Sequence, residues 1–197
     1  MKVLIVGANG LLGSAAVAAL KERHDVIQAS RSGQVSVDLG DPQSIRRMFK
    51  EVGTVDAVIS CTGSVPFKPL AELTDEDFRS GFEDKVIGQV NLVQLGVDYI
   101  SDGGSVTLTT GVLAREPILT GAAASLANGA LESFVMAAAA ELPRHIRINA
   151  VSPTVLAEAT DYHEFFPGFS QVPAETVGRA YVKSVEGIQT GLVYALD

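Results

Sequence analysis

The sequence predicts an α/β fold of the doubly wound parallel-sheet (Rossmann) type, formed as a single domain over residues 1–197. Three observations carry this expectation. Short apolar runs alternate with helix-length amphipathic stretches along the whole chain. The runs are nearly continuous in apolar residues, so they need burial on both faces, which means a parallel sheet covered by helices on either side. The first run leads directly into a glycine-rich turn that opens a helix.

The elements follow in order. Val3–Val6 reads as a first strand, and a helix pattern runs from about Leu11 to Arg23. Val26–Ala29 and Val35–Val37 read as the second and third strands. Asp41 and Pro42 supply an N-cap and a first helical residue for a helix to about Val52. Ala57–Ser60 is a fourth strand. Thr74–Asp77 has the spacing of a capping box, and a long amphipathic stretch then reaches about Tyr99. Val106–Thr109 is a fifth strand, and an alanine-rich helix occupies roughly Leu119–Leu142. Ile146–Val151 is a sixth strand, Pro173–Val185 a helix, and Leu192–Leu196 a last strand. No internal repeat of fixed period is present. Right-handed crossovers make such a sheet doubly wound, and its ligands bind beyond the carboxyl ends of the strands.

Composition narrows the classes. Of the 197 residues, 47% are hydrophobic and 19% charged, a globular balance. The net charge of -8 would repel nucleic-acid phosphates. No run approaches about 18 consecutive apolar residues, so no membrane partner is expected. The apolar start, Val3–Val6, meets glycines instead of a small-residue cleavage site, and reads as a strand instead of a signal peptide. Cys61 is the only cysteine, which rules out an intrachain disulfide and suits a reducing cytoplasm. No His, Cys or carboxylate cluster has metal-ligand spacing.

Gly7, Asn9, Gly10, Leu11, Leu12 and Gly13 lie in a G-x-x-G-x-x-G turn. Its glycines let the backbone approach a pyrophosphate, and the helix behind it contributes unpaired N–H groups and the positive end of its dipole. At the end of the second strand, where an acidic residue would bind the ribose hydroxyls of NAD, the chain has Ser30 and Arg31. A guanidinium there can fork onto a 2′-phosphate and a serine can donate to it, which favours NADP(H).

These pieces, with four more in the same order, resemble a short-chain dehydrogenase/reductase over nearly the whole chain. Asp38 and Leu39 match the adenine-contacting pair. Ser60-Cys61-Thr62-Gly63 stands where the family has Asn-Asn-Ala-Gly. Gly104–Thr110 is similar to the strand that carries the family's serine. Asn128–Phe134 is similar to the stretch that begins with its lysine, and Arg147–Pro153 to its Arg-Val-Asn-x-Val-x-Pro strand. The resemblance implies that Cys61, Thr62, Gly63, Asn128 and Val155 also face the cofactor. It further implies a homodimer or homotetramer built on the two long helices.

The departures are chemical. The family's Tyr-x-x-x-Lys pair is replaced by Ala124 and Asn128. Asn128 can hydrogen-bond a ribose but carries no charge, and alanine donates no proton. Spacing back from Ala124 puts Gly111 at the serine position, with Thr110 beside it as a hydroxyl that could orient a carbonyl. Lys85 stands where the family has an asparagine. Its place on the flank of the helix, roughly 100° from the apolar stripe, would let it point into the cleft and polarise a carbonyl or give up a proton, or else snorkel to Glu83 or Asp84. Tyr162, after the sixth strand, is a further phenol. Lys85, Thr110 and Asn128 are therefore the expected catalytic set. The resulting expectation is an NADP(H)-dependent oxidoreductase acting on a small carbonyl or alcohol; the alternative is a non-catalytic NADP(H)-binding regulator.

Overall fold

The computed structural model describes all residues, 1–197. Seven strands form one parallel sheet: β1 (Lys2–Val6), β2 (Asp25–Ser30), β3 (Val35–Ser36), β4 (Val55–Ser60), β5 (Ile100–Thr109), β6 (Arg147–Pro153) and β7 (Val193–Leu196). Their order is β3-β2-β1-β4-β5-β6-β7. The chain starts mid-sheet, winds outward to β3, then returns across β1 to build the other half. The direction of winding reverses between β1 and β4, which pair from Val3 with Ala57 to Val6 with Ser60. The loops after these two strands diverge there and leave a crevice.

Six α-helices cover the sheet: α1 (Leu11–Leu20), α2 (Pro42–Val52), α3 (Asp75–Phe82), α4 (Gly88–Gly96), α5 (Ala122–Glu141) and α6 (Ala174–Glu186). Strand β1 shows why both faces must be covered. Leu4 and Val6 point into a core with Phe49 of α2, Leu92 of α4 and Leu131 of α5. Val3 and Ile5 point into a second core with Leu20 of α1 and Tyr181 of α6. Successive strand side chains face opposite ways, so an all-apolar strand needs two cores.

The local signals act as expected. The Asp41 carboxylate accepts the Gln43 N–H at 2.9 Å and Pro42 opens α2. Thr74 and Asp77 form a reciprocal capping box at α3. Two differences are informative. The stretch expected as one helix to Tyr99 is broken by a π-helical turn over Glu83–Ile87, which separates α3 from α4. Helix α5 is long and apolar enough to cross a membrane, although its Ala124, Ala127, Leu131 and Val135 are buried inside the protein. His24 is largely covered, and its Nε2 lies 2.8 Å from Glu186 Oε1.

Candidate active site

The crevice between β1 and β4 opens into a cleft of about 850 Å³. Val6, Gly7, Asn9 and Gly10 form its floor, Ser30 and Arg31 one end, and Asp38 and Leu39 a side wall. Cys61, Thr62 and Gly63 line the β4 side. Gly7 is held at φ +82°, and a Cβ there would lie 2.5 Å from the Cys61 carbonyl oxygen, so only glycine lets the two loops meet. No side chain caps the start of α1, which leaves its first-turn N–H groups for an anion.

Some expected contacts take a different form. Leu11 and Leu12 do not line the cleft; Leu11 is exposed and Leu12 packs on the second core. What they offer an anion is main-chain N–H. Gly13 is a packing glycine, because a Cβ there would strike the Gly7 carbonyl from behind. The Ser30 hydroxyl accepts from Asn9 Nδ2 at 2.9 Å, which leaves its own proton to donate. Arg31 is exposed on the cleft rim and makes no ion pair. Asp38 holds the Gly40 N–H at 2.9 Å. Burial pushes the Cys61 thiol up to about 11, so it stays protonated and unreactive.

At Gly63, Ser64 and Val65 the cleft passes into an inner pocket of about 250 Å³. Here Lys85, Asn128, Val155 and Tyr162 come together with Gly111 and Ala124. Val155 therefore belongs to the inner pocket and not to the nucleotide floor. Thr110 requires a correction. Its hydroxyl donates to Glu132 Oε1 at 3.0 Å, in a network with Ser152 and Arg115, and Gly111 takes its place on the pocket wall. A hydroxyl committed to a carboxylate behind the wall cannot orient a carbonyl in front of it.

Lys85 sits inside the π-helical turn. It makes no ion pair. Asp84, one of the partners considered for it, instead takes the Ser64 N–H. Desolvation lowers the Lys85 ammonium to about 8, with Asp84 partly opposing that change. Gly63 fits against the lysine, and a Cβ at Gly63 would lie 2.7 Å from Lys85 Cγ. The sequence reading missed the residue that fixes this arrangement. Gln89 is fully buried. Its Nε2 donates to the carbonyls of Lys85 and Thr109, both at 3.1 Å, and its Oε1 accepts the Thr109 N–H at 3.1 Å. The π-helical turn disturbs the regular backbone ladder, and Gln89 gives the Lys85 carbonyl a donor while tying it to the end of β5. A buried glutamine in an apolar helix was the only signal available.

Asn128 is 5% exposed, and its Oδ1 has no donor anywhere in the protein. Such an orphaned acceptor is costly unless something else bonds to it.

A family model described as Enoyl-(Acyl carrier protein) reductase matches residues 1–190. The chain is 28% identical over 160 residues to a hydroxynaphthalene reductase-like protein, Arp2, of Metarhizium brunneum, which covers 76% of this chain. The chain spans only 60% of that relative's length in turn. Among solved structures, protein lin1944 of Listeria innocua is 49% identical, with a TM-score of 0.98 over 100% of both chains. A small-chain dehydrogenase in complex with NADPH is 25% identical, with a TM-score of 0.88 over 100% of this chain and 96% of that one.

Proposed function

Since the chain belongs to the short-chain dehydrogenase/reductase family, we propose that it is an NADP(H)-dependent oxidoreductase acting on a small carbonyl or alcohol. The observation that carries this reading is the continuity of the cleft. One groove runs from Arg31, past the glycine turn, through Gly63–Val65, to Lys85 and Asn128. Its parts match successive parts of a dinucleotide phosphate in chemistry.

The residues present fit that cofactor. The exposed, unpaired Arg31 and the Ser30 proton suit a 2′-phosphate. The Gly7–Gly10 floor and the α1 start suit a pyrophosphate. The orphaned Asn128 Oδ1 suits a ribose hydroxyl, which is a donor. The bound nicotinamide supplies or accepts hydride. The chain's own work is to hold the substrate in the inner pocket, exclude water with Val112, Leu113 and Phe166, and polarise the carbonyl oxygen with the Lys85 ammonium.

Calorimetry tests the cofactor half directly. Wild-type protein should bind NADPH more tightly than NADH. Arg31→Ala should weaken NADPH by about 10–100-fold, from roughly 1.5–3 kcal/mol of charge-assisted bonding, and leave NADH unchanged. An absence of binding heat with either reduced nucleotide would overturn the proposal.

A further inference from the structure

We propose that the inner pocket takes conjugated carbonyl compounds of the quinone class, whose reduced form is a phenolate held by the Lys85 ammonium, in preference to simple ketones. The inference rests on the oxidoreductase reading and narrows its substrate.

The pocket wall is the first reason. It presents one cation, Lys85, and no carboxylate. Gly111 and Ala124 bring no hydroxyl. Thr154 spends its proton on the Ser170 carbonyl at 3.1 Å. Ser64 is exposed, and Tyr162 is 51% exposed. The pocket interior is therefore equipped to hold an anion and poorly equipped to deliver a hydroxyl proton.

The chemistry follows from that. A simple ketone that takes up hydride becomes an alkoxide, a base about as strong as hydroxide. It needs a proton as it forms, so the Lys85 ammonium would have to be aligned to give up its own within the hydride step, and a positioned acid typically contributes about 10²–10⁴-fold there. A quinone instead takes up one hydrogen and two electrons as hydride from a reduced nicotinamide: the nicotinamide C4–H bond breaks and an O–H bond forms on one quinone oxygen. The nicotinamide is oxidised, and the quinone becomes a hydroquinone monoanion. Its charge rests on a phenolate oxygen, and phenols ionise near 10. That anion is stable beside a cation without simultaneous protonation. Lys85, lowered to about 8 by burial, can then pass its proton to the phenolate and recover one from water.

Size and shape agree. At about 250 Å³ the pocket falls below the roughly 300–1,000 Å³ of drug-sized sites, which suits one or two fused rings and not a long acyl chain. Its aromatic residues stand edge-to-face. On the wall Phe67 and Tyr162 have centroids 6.3 Å apart, and the wall residue Phe166 is backed at 5.4 Å by Phe169, which lies outside the pocket. Such walls offer ring faces and edges to a planar ligand.

Two measurements test the inference. In the first, 4-nitrophenol, whose phenolate is coloured, is mixed with excess protein and NADP⁺ in mildly acidic buffer. Wild-type and Lys85→Arg proteins should raise the phenolate fraction, and Lys85→Met should not. In the second, kcat/KM for 1,4-naphthoquinone should exceed that for cyclohexanone by about 100-fold or more. Calorimetry with NADPH on the same samples separates the two levels. If NADPH binds but no phenolate is held, or cyclohexanone is reduced as readily as naphthoquinone, the substrate class is wrong and the oxidoreductase reading stands. If NADPH does not bind, both fall.

Discussion

Replacing Lys85 with methionine should make this protein more stable at neutral pH, a result opposite to the usual effect of changing a covered residue. The displacement of its ammonium from 10.5 to about 8 means that the fold disfavours the charge. At about 1.4 kcal/mol per pH unit, the ceiling on that cost is a little over 3 kcal/mol. Lys85 keeps some access to solvent, so about 1–2 kcal/mol is the expected gain after allowance for screening. For a chain of 197 residues, this corresponds to a melting temperature about 3–6 °C higher. The pH dependence identifies the cause. The folded state binds fewer protons than the unfolded chain between about 8 and 10.5, so wild-type stability rises with pH through that window. At about pH 10 roughly three quarters of the cost has gone. Thermal melts of wild type and Lys85→Met at about pH 6.5 and pH 10 should therefore differ at the first and nearly coincide at the second. A gap of equal size at both values, or a variant that melts lower, would show that the lysine is not held against its charge.

Two further substitutions probe how the site is built. Gln89→Leu strands the Thr109 N–H and the carbonyls of Lys85 and Thr109. Denaturant unfolding should show a loss of about 2–4 kcal/mol, and amide exchange at Thr109 should accelerate; an unchanged midpoint would mean the bonds add nothing. Gly13→Ala drives a methyl into main-chain atoms of Gly7 and Ala8, which have no rotamer to yield. It should cost about 1–3 kcal/mol and weaken NADPH in calorimetry, because the displaced loop is the cleft floor.

The sheet was legible because its strands read as short, largely apolar runs and two helices carry their own start signals, Asp41-Pro42 and Thr74–Asp77. The outer cleft was legible for a related reason. Gly7, Arg31 and Gly63 follow strand ends, and strand ends are where this topology gathers residues. The inner pocket was only partly legible. Lys85 and Asn128 were found by their places in the family pattern and Tyr162 by its place after the sixth strand, yet Thr110 was misassigned because nothing local shows which way a strand-end hydroxyl turns. Its partner, Glu132, lies on α5, 22 residues away. The π-helical turn was invisible to a 3.6-residue period, and so was the role of Gln89, whose partners are main-chain atoms that leave no mark on composition.

That turn also has a bearing on how such a pocket arises and is lost. A π-helical turn amounts to one residue too many for an α-helix. Removing a single codon within Glu83–Ile87 would restore the regular repeat, let the flanking helices keep the faces they turn to the sheet, and shift the side chains inside the turn by about 100° around the axis. The sheet and its cores would be left largely alone, while the one cation of the inner pocket would be carried off its wall. In a lineage of such proteins, this chemistry can be gained or abandoned by an indel, with no change of fold.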